Sequence, residues 1–69
     1  MSDIKFTIVK KIGVLSESAK GWKKELNVIS WNDETPKYDL RDWSPDHKKM
    51  GKGITLTEEE VEKLRELLK

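Results

Sequence analysis

Apolar residues in the last part of the chain recur at helical spacing. Thr57 followed by Glu60 forms a capping-box signature, and Glu58 and Glu59 suit the positive end of a helix dipole. Beyond this start, the apolar positions that fall on one side of a helix are Val61, Leu64, Leu67 and Leu68. The pattern predicts an amphipathic helix from Thr57 to the end of the sequence.

Upstream, the spacing of apolar residues changes from helical to alternating. In the first segment, one side holds Ile4, Phe6, Ile8, Ile12 and Val14. Lys10 is the exception, and the other side holds Lys5, Thr7, Val9 and Lys11. This alternation predicts a half-buried β-strand with one apolar and one basic face.

Three further segments with alternating character follow at short intervals. Polar stretches at 16–21, 32–36 and 44–51 are typical of loops and turns. The segments between them predict strands at about 22–31, 37–43 and 52–56, and the last strand leads into the helix. Because short connections join consecutive strands in antiparallel fashion, we expect an α+β fold of four antiparallel strands and one C-terminal helix. We expect this fold to form a single domain over residues 1–69.

Composition limits the ways in which such a chain can be stabilised. The chain has 69 residues, no cysteine and one histidine. It therefore has no disulfide or thiolate metal site, and one histidine gives too few nitrogen ligands for a conventional zinc site. We expect no cofactor and no metal. Small domains often gain stability from a partner subunit, and the leucine-rich helix stripe exceeds what a small sheet can cover, so we expect a homodimer.

Targeting and catalytic signals are also absent from the sequence. No apolar run is long enough to cross a bilayer, and the N-terminus lacks the blocks of a signal peptide, so we expect a cytoplasmic protein without a membrane partner. Association with the nucleoid stays open. Asp39 and Asp42 should point to opposite faces of a strand, and His47 is expected to be solvent-exposed in a polar loop. With no usable catalytic set, we expect no enzyme.

Three tryptophans in so short a chain require an explanation. Core packing is the usual role of these rings. However, Trp31 and Trp43 alternate in phase with Lys23, Lys37 and Arg41, and the opposite side holds Leu26, Val28, Tyr38 and Leu40. A face of cations and rings suits single-stranded nucleic acid, because bases stack on rings and phosphates pair with cations. Trp22 could belong to either side.

The second half of the chain resembles the transcriptional coactivator p15 family, also called positive cofactor four, and in particular its bacterial YdbC-type branch. The resemblance rests on residues 38–43, with the sequence YDLRDW, a polar loop, residues 51–57, with the sequence GKGITLT, and the leucine-bearing helix. It implies a curved four-stranded sheet, dimerisation through the helix and neighbouring strand, and binding of single-stranded DNA with little sequence preference. It also implies nucleic-acid contacts by Arg41, Lys52 and the nearby Trp43.

These considerations give a set of candidate residues and two classes of function. The candidate nucleic-acid-binding residues are Lys5, Thr7, Val9, Lys11, Lys23, Lys24, Asn27, Trp31, Lys37, Arg41, Trp43, Lys49 and Lys52. The candidate dimer-interface residues are Val61, Leu64, Leu67 and Leu68. We expect a partner of single-stranded DNA, with RNA left open because nothing specifies a reader of the 2′-hydroxyl. The alternative is a protein-interaction module that uses the same aromatic face, since tryptophan and arginine also anchor protein interfaces.

Overall fold

The computed structural model describes residues 5–69. It contains strands β1 (Phe6–Glu17), β2 (Lys23–Trp31), β3 (Lys37–Trp43) and β4 (Met50–Leu56), followed by helix α1 (Glu58–Leu67). The strands form one antiparallel sheet in the order β1-β2-β3-β4. The predicted fold of four strands and one C-terminal helix is therefore confirmed. Ile4, which the alternation assigned to the apolar side of the first strand, lies outside the described residues.

Two strands extend further than the sequence predicted. β1 continues to Glu17, which pairs with Lys23 at the start of β2, so the first hairpin is longer than expected. β4 begins at Met50 rather than at Lys52, because Met50 pairs with Trp43. In both places the strand continues into a polar segment because backbone N–H and C=O groups there find partners in the neighbouring strand.

Helix α1 begins where its capping signal predicted. The backbone N–H of Glu60 donates to the Thr57 hydroxyl at 3.2 Å, and the backbone N–H of Thr57 donates to the Glu60 carboxylate at 2.8 Å. These reciprocal bonds form a complete capping box, which satisfies two otherwise unpaired donors of the first turn. Across residues 5–69, no helix combines the length and the apolar character that crossing a membrane would require.

The alternation of β2 and β3 gives the sheet two faces of different character. Cross-strand pairs such as Asn27–Asp39 and Leu26–Leu40 place residues of equal parity on the same face. We define the tryptophan face by Lys23, Glu25, Asn27, Ile29, Trp31, Lys37, Asp39, Arg41 and Trp43. We define the helix face by Leu26, Val28, Tyr38 and Leu40, with Ile54 and Leu56 of β4 beside them. The predicted parity of these two strands is confirmed.

The parity predicted for β1 is correct for Phe6, Thr7 and Ile8 but wrong for Lys11, which lies beyond the first bulge. The pairing of β1 with β2 shifts register at three points, and each bulge adds a residue that exchanges the two faces. Phe6 pairs with Trp31 on the tryptophan face, and Lys11 pairs with Asn27 on that same face. Thr7 pairs with Ser30 on the opposite side. A prediction that assumes unbroken alternation of side chains along the strand cannot foresee where bulges reverse the two faces.

The sheet curls over its tryptophan face. Trp31 ends β2, whereas Trp43 pairs with Lys23 at the other end of β2, a separation of about 26 Å along a straight strand. Nevertheless, the Phe6 ring lies 5.6 Å from the Trp31 ring and 5.5 Å from the Trp43 ring, measured between centroids. Bulges increase the local twist and bend of a strand, and those of β1 account for this curvature.

Burial is concentrated on the tryptophan face rather than beneath the helix. Within residues 5–69, the buried apolar side chains are Ile29 and Trp43, both on the tryptophan face. No residue of α1 is buried, and Ile54 remains 53% exposed. A single copy therefore covers its helix face only in part.

Substitution of Gly53 by alanine should destabilise the fold. A Cβ at Gly53 would lie 2.5 Å from the Leu40 carbonyl oxygen and 2.7 Å from the Arg41 Cβ. Overpacking of this kind lowers the free energy of unfolding by about 1–3 kcal/mol, which chemical denaturation can measure. Gly13→Ala is the matched control, because nothing lies within 4 Å of its Cβ position. Equal effects of the two substitutions would contradict this account of Gly53.

Candidate nucleic-acid interface

Arg41 is fixed in place by an ion pair across the tryptophan face. Its Nε and Nη2 groups donate to the two carboxylate oxygens of Asp39, each at 3.1 Å, and its Nη1 group donates to the Gly51 carbonyl at 3.0 Å. The Asp39 side chain is fully buried and also accepts a hydrogen bond from Thr55 at 3.3 Å. A bidentate pair of this kind fixes both the position and the plane of the guanidinium. The absence of a side chain at Gly53 lets Arg41 lie across β4.

The guanidinium of Arg41 lies against the ring of Trp31. Its central carbon is 5.2 Å from the ring centroid, within the range of a cation–π interaction. Trp31 is half-buried and also contacts Phe6. Its indole N–H is buried without a hydrogen-bond partner, as is that of Trp43. Unpaired buried donors are uncommon, and both belong to the face that carries the cations.

Trp43 lies on the predicted face but does not present an open ring. It is fully buried, with Phe6 on one side and the imidazole of His47 on another. The His47 and Trp43 rings are stacked, 4.2 Å apart between centroids and 3° from parallel. Because His47 covers the ring of Trp43, that ring is not open to a base, and its contact with nucleic acid stays a prediction.

His47 is part of the packed surface rather than freely exposed in its loop. Its side chain is only 31% exposed, and Nε2 lies 3.0 and 3.1 Å from the two carboxylate oxygens of Glu25. Burial by itself would raise the pKa of Glu25. Hydrogen bonds from His47 and Asn27, with the electrostatic influence of His47 and Lys11, outweigh burial and hold the pKa of Glu25 below its ordinary value of 4.5. Glu25 is therefore a carboxylate at neutral pH, and His47 Nε2 donates to it.

Two acids of the tryptophan face are buried, whereas its lysines are exposed. Asp39 is fully buried and Glu25 is 8% exposed, and each is paired with a basic side chain. Lys11, Lys23 and Lys37 are exposed at the margins of the same face. Glu17, opposite Lys23, is an exposed acid at one edge. Apart from this edge, a ligand approaching the face meets mainly positive charge.

The structure brings together some of the predicted nucleic-acid-binding residues but not all. Those on the tryptophan face are Lys11, Lys23, Asn27, Trp31, Lys37, Arg41 and Trp43. Asn27 is 1% exposed and donates to Glu25 at 3.1 Å, so it helps to hold the acid in place.

The remaining predicted residues lie on the helix face or at edges. Thr7 and Lys24 point to the helix face, where Lys24 lies 3.6 Å from Asp42. Lys52 lines a cleft with Lys24 and Leu40. Lys5 is exposed and pairs with Asp33, while Val9, at the first bulge of β1, and Lys49, in the loop before β4, are also exposed.

Trp22, which the sequence left unassigned, belongs with the helix face. Its ring lies beside Gly51 and lines a cleft of about 400 Å³ that includes Lys24 and Asp42. It therefore does not join Trp31 and Trp43.

Sequence reasoning did not identify the buried acids of the tryptophan face as functional parts of it. A usable signal was present, because Glu25 and Asp39 alternate in phase with the cations of their own strands. An acid at such a position predicts an ion pair with its neighbour on the same face. Asp39 and Asp42 do point to opposite faces, as predicted, since Asp42 pairs with Lys24 and Asp39 with Arg41.

Comparisons with known proteins agree with this geometry. The family model described as Transcriptional Coactivator p15 (PC4) matches residues 18–67. The chain is also 52% identical over 66 residues to an uncharacterized protein of Treponema pallidum (strain Nichols), an alignment that covers 96% of this chain and 78% of that protein. The matched residues include β2, β3, β4 and α1, which carry the Arg41 ion pair, Trp31 and the helix.

Proposed function

Because the chain belongs to the transcriptional coactivator p15 family, we propose that it binds single-stranded DNA without sequence specificity through the tryptophan face of a homodimer. The family is a non-enzymatic, nucleic-acid-binding family, known for single-stranded DNA binding and for coactivator roles. For this chain, the process served is transcription, replication or repair, each of which exposes single strands. The cytoplasm is the compartment in which we place it.

The observation that carries the proposal is the placement of Arg41 against Trp31 on a face bordered by exposed lysines. A ring beside a fixed cation offers a base a stacking surface and a phosphate a charge within the same small area. Arg41 donates three of its hydrogen bonds to Asp39 and Gly51. Its main roles are therefore to place a positive charge near the bound phosphates and to pack against Trp31. The flexible side chains of Lys11, Lys23 and Lys37 supply positive charges that can follow the phosphates of the strand.

The same geometry supports a lack of sequence specificity. Stacking on a ring is available to every base, and lysines pair with phosphates irrespective of the base. The two buried acids of the face, Asp39 and Glu25, are already paired with Arg41 and His47, so neither offers a free acceptor for reading base edges.

Dimerisation through the helix face is the second part of the proposal. In a single copy Leu64, Leu67 and Leu68 are 42%, 73% and 77% exposed, and Val61 is half-buried. An apolar groove of about 280 Å³ lies between the helix and β4, lined mainly by Ile54, Leu56, Leu64 and Leu67. A contiguous apolar surface on so small a chain favours a partner, and a second copy supplies the same surface in reverse. Such pairing leaves the tryptophan faces of both copies open.

Removing the lysines of the tryptophan face should weaken binding without unfolding the protein. We expect a Lys23→Ala/Lys37→Ala variant to bind oligothymidylate several-fold more weakly at low salt. The slope of log affinity against log salt should fall by roughly 0.7 for each lost phosphate contact. Tryptophan fluorescence titrations at two salt concentrations measure both quantities. Competition with duplex DNA and with RNA of equal length reports the preference among strands.

An Arg65→Ala/Lys69→Ala variant is the matched control, because it makes the same change in net charge on and beyond the helix without touching the groove proposed for dimerisation. Its affinity should stay close to that of the unmodified chain. Equal weakening in both variants would mean that overall charge, not the tryptophan face, governs binding. Binding that resists moderate salt would favour a protein partner for this face.

A charge in the leucine stripe should separate the two copies. Leu67 is 73% exposed in a single copy, so Leu67→Glu would be harmless to a monomer but costly in an apolar interface. We expect sedimentation velocity at micromolar concentration to show a dimer for the unmodified chain and a monomer or unfolded chain for this variant. Leu15→Glu is the control, since Leu15 is 57% exposed on β1, away from the helix. A monomeric unmodified chain would refute the dimer.

A further inference from the structure

On the premise of the proposed function, we infer that His47, rather than Trp43, is the surface on which a base of the bound strand stacks at this end of the tryptophan face. Trp43 has no exposed surface, so no base reaches it while His47 is in place. The imidazole of His47 lies parallel to the indole at 4.2 Å and extends the stack outward by one ring. Histidine is among the side chains on which bases stack.

Contacts at the ring nitrogen and the conformation of the backbone together hold the His47 ring in a fixed plane. At the ring edge, Nε2 donates to the carboxylate of Glu25 at 3.0 and 3.1 Å. At the backbone, His47 has a φ of 63°, in the left-handed region that few non-glycine residues adopt. A ring fixed before the ligand arrives loses little conformational entropy when a base stacks on it.

The loop around His47 is itself well braced. The backbone N–H of His47 donates to the Ser44 carbonyl at 2.9 Å. The Ser44 hydroxyl donates to the carboxylate of Asp46 at 2.8 Å and accepts the backbone N–H of Lys49 at 3.0 Å. These bonds hold the loop in one conformation. They therefore favour a His47 ring that stays fixed on Trp43, rather than one that swings away from it.

The surroundings of His47 suit a nucleotide rather than an isolated ring. His47 opens onto a cleft of about 290 Å³ whose lining includes Lys11 and Lys23. Both lysines are exposed, so their ammonium groups can reach phosphates on either side of a base stacked on the imidazole. Glu25 lies in the same cleft, but its carboxylate is engaged by His47 and Asn27. The cleft therefore combines a stacking surface with two cations.

The test uses the fact that the chain has one histidine, so its imidazole protons give a unique signal in a proton NMR spectrum. Stacking on Trp43 should already shift these signals upfield. Adding oligothymidylate should shift them further upfield, because a base then covers the second face of the ring. An abasic oligonucleotide of equal charge should not produce this second shift. Movement of the signals downfield, toward unstacked values, would mean that a base displaces His47, and it would overturn the inference.

Two substitutions give an independent readout of affinity. His47→Ala should weaken binding of oligothymidylate on the order of tenfold, the scale of one lost stacking contact. His47→Phe should restore most of that affinity, because it keeps a ring at the position but cannot bond to Glu25. Lys48→Ala, an exposed neighbour in the same loop, is the control and should bind as the unmodified chain does.

The outcomes separate this inference from the proposed function. Tighter binding by His47→Ala, or unchanged binding with no shift of the imidazole signals, overturns the role of His47 while single-stranded DNA binding stands. If the unmodified chain binds no oligothymidylate at low salt, the proposed function fails and the inference fails with it. Circular dichroism of each variant establishes that the sheet is intact.

Discussion

The bidentate ion pair between Arg41 and Asp39 is the interaction on which the rest of the tryptophan face depends. Asp39 has no exposed surface, and a buried carboxylate is stable only when it is paired and hydrogen-bonded. Arg41 satisfies it with two donors and in turn lies against Trp31. This arrangement requires Gly53 on the neighbouring strand, because any Cβ there would collide with the arginine side chain. The Arg41–Asp39 pair therefore requires glycine at position 53, places a cation against Trp31 and helps to shape the tryptophan face.

The two faces of the sheet differ in the kind of partner that they suit. The tryptophan face buries Glu25 and Asp39 and leaves lysines such as Lys23 and Lys37 exposed, so its accessible charge is mainly positive. The helix face keeps apolar residues such as Ile54 and Leu67 accessible in a single copy. Cations attract a polyanion, and uncovered apolar surface favours association. We therefore propose that nucleic acid binds the tryptophan face and that a second copy covers the helix face.

The sequence predicted the order of the elements, the helix cap and the parity of β2 and β3, because each depends on local spacing. It failed where strand bulges and the packing of particular side chains decide. Each bulge of β1 moves the residues after it to the opposite face, and this is why Lys11 lies on the tryptophan face. A simple alternation of apolar and polar residues does not predict such a change. The burial of Trp43 involves His47, four residues further on, which stacks on the indole from the loop after β3, where it has a left-handed backbone angle. Neither the bend of the sheet nor that contact leaves a periodic signal.

A double-mutant cycle on Arg41 and Asp39, read as the free energy of unfolding at fixed protein concentration, tests whether this ion pair stabilises the tryptophan face. Removing either partner alone leaves a buried charge unpaired, and we expect each single alanine variant to lose about 3–5 kcal/mol. The double variant should lose much less than the sum of the two. The same cycle on Lys24 and Asp42, whose side chains are 46% and 41% exposed, should give a coupling below about 1 kcal/mol. Losses at Arg41 and Asp39 that are small and additive, like those of the exposed pair, would contradict the account.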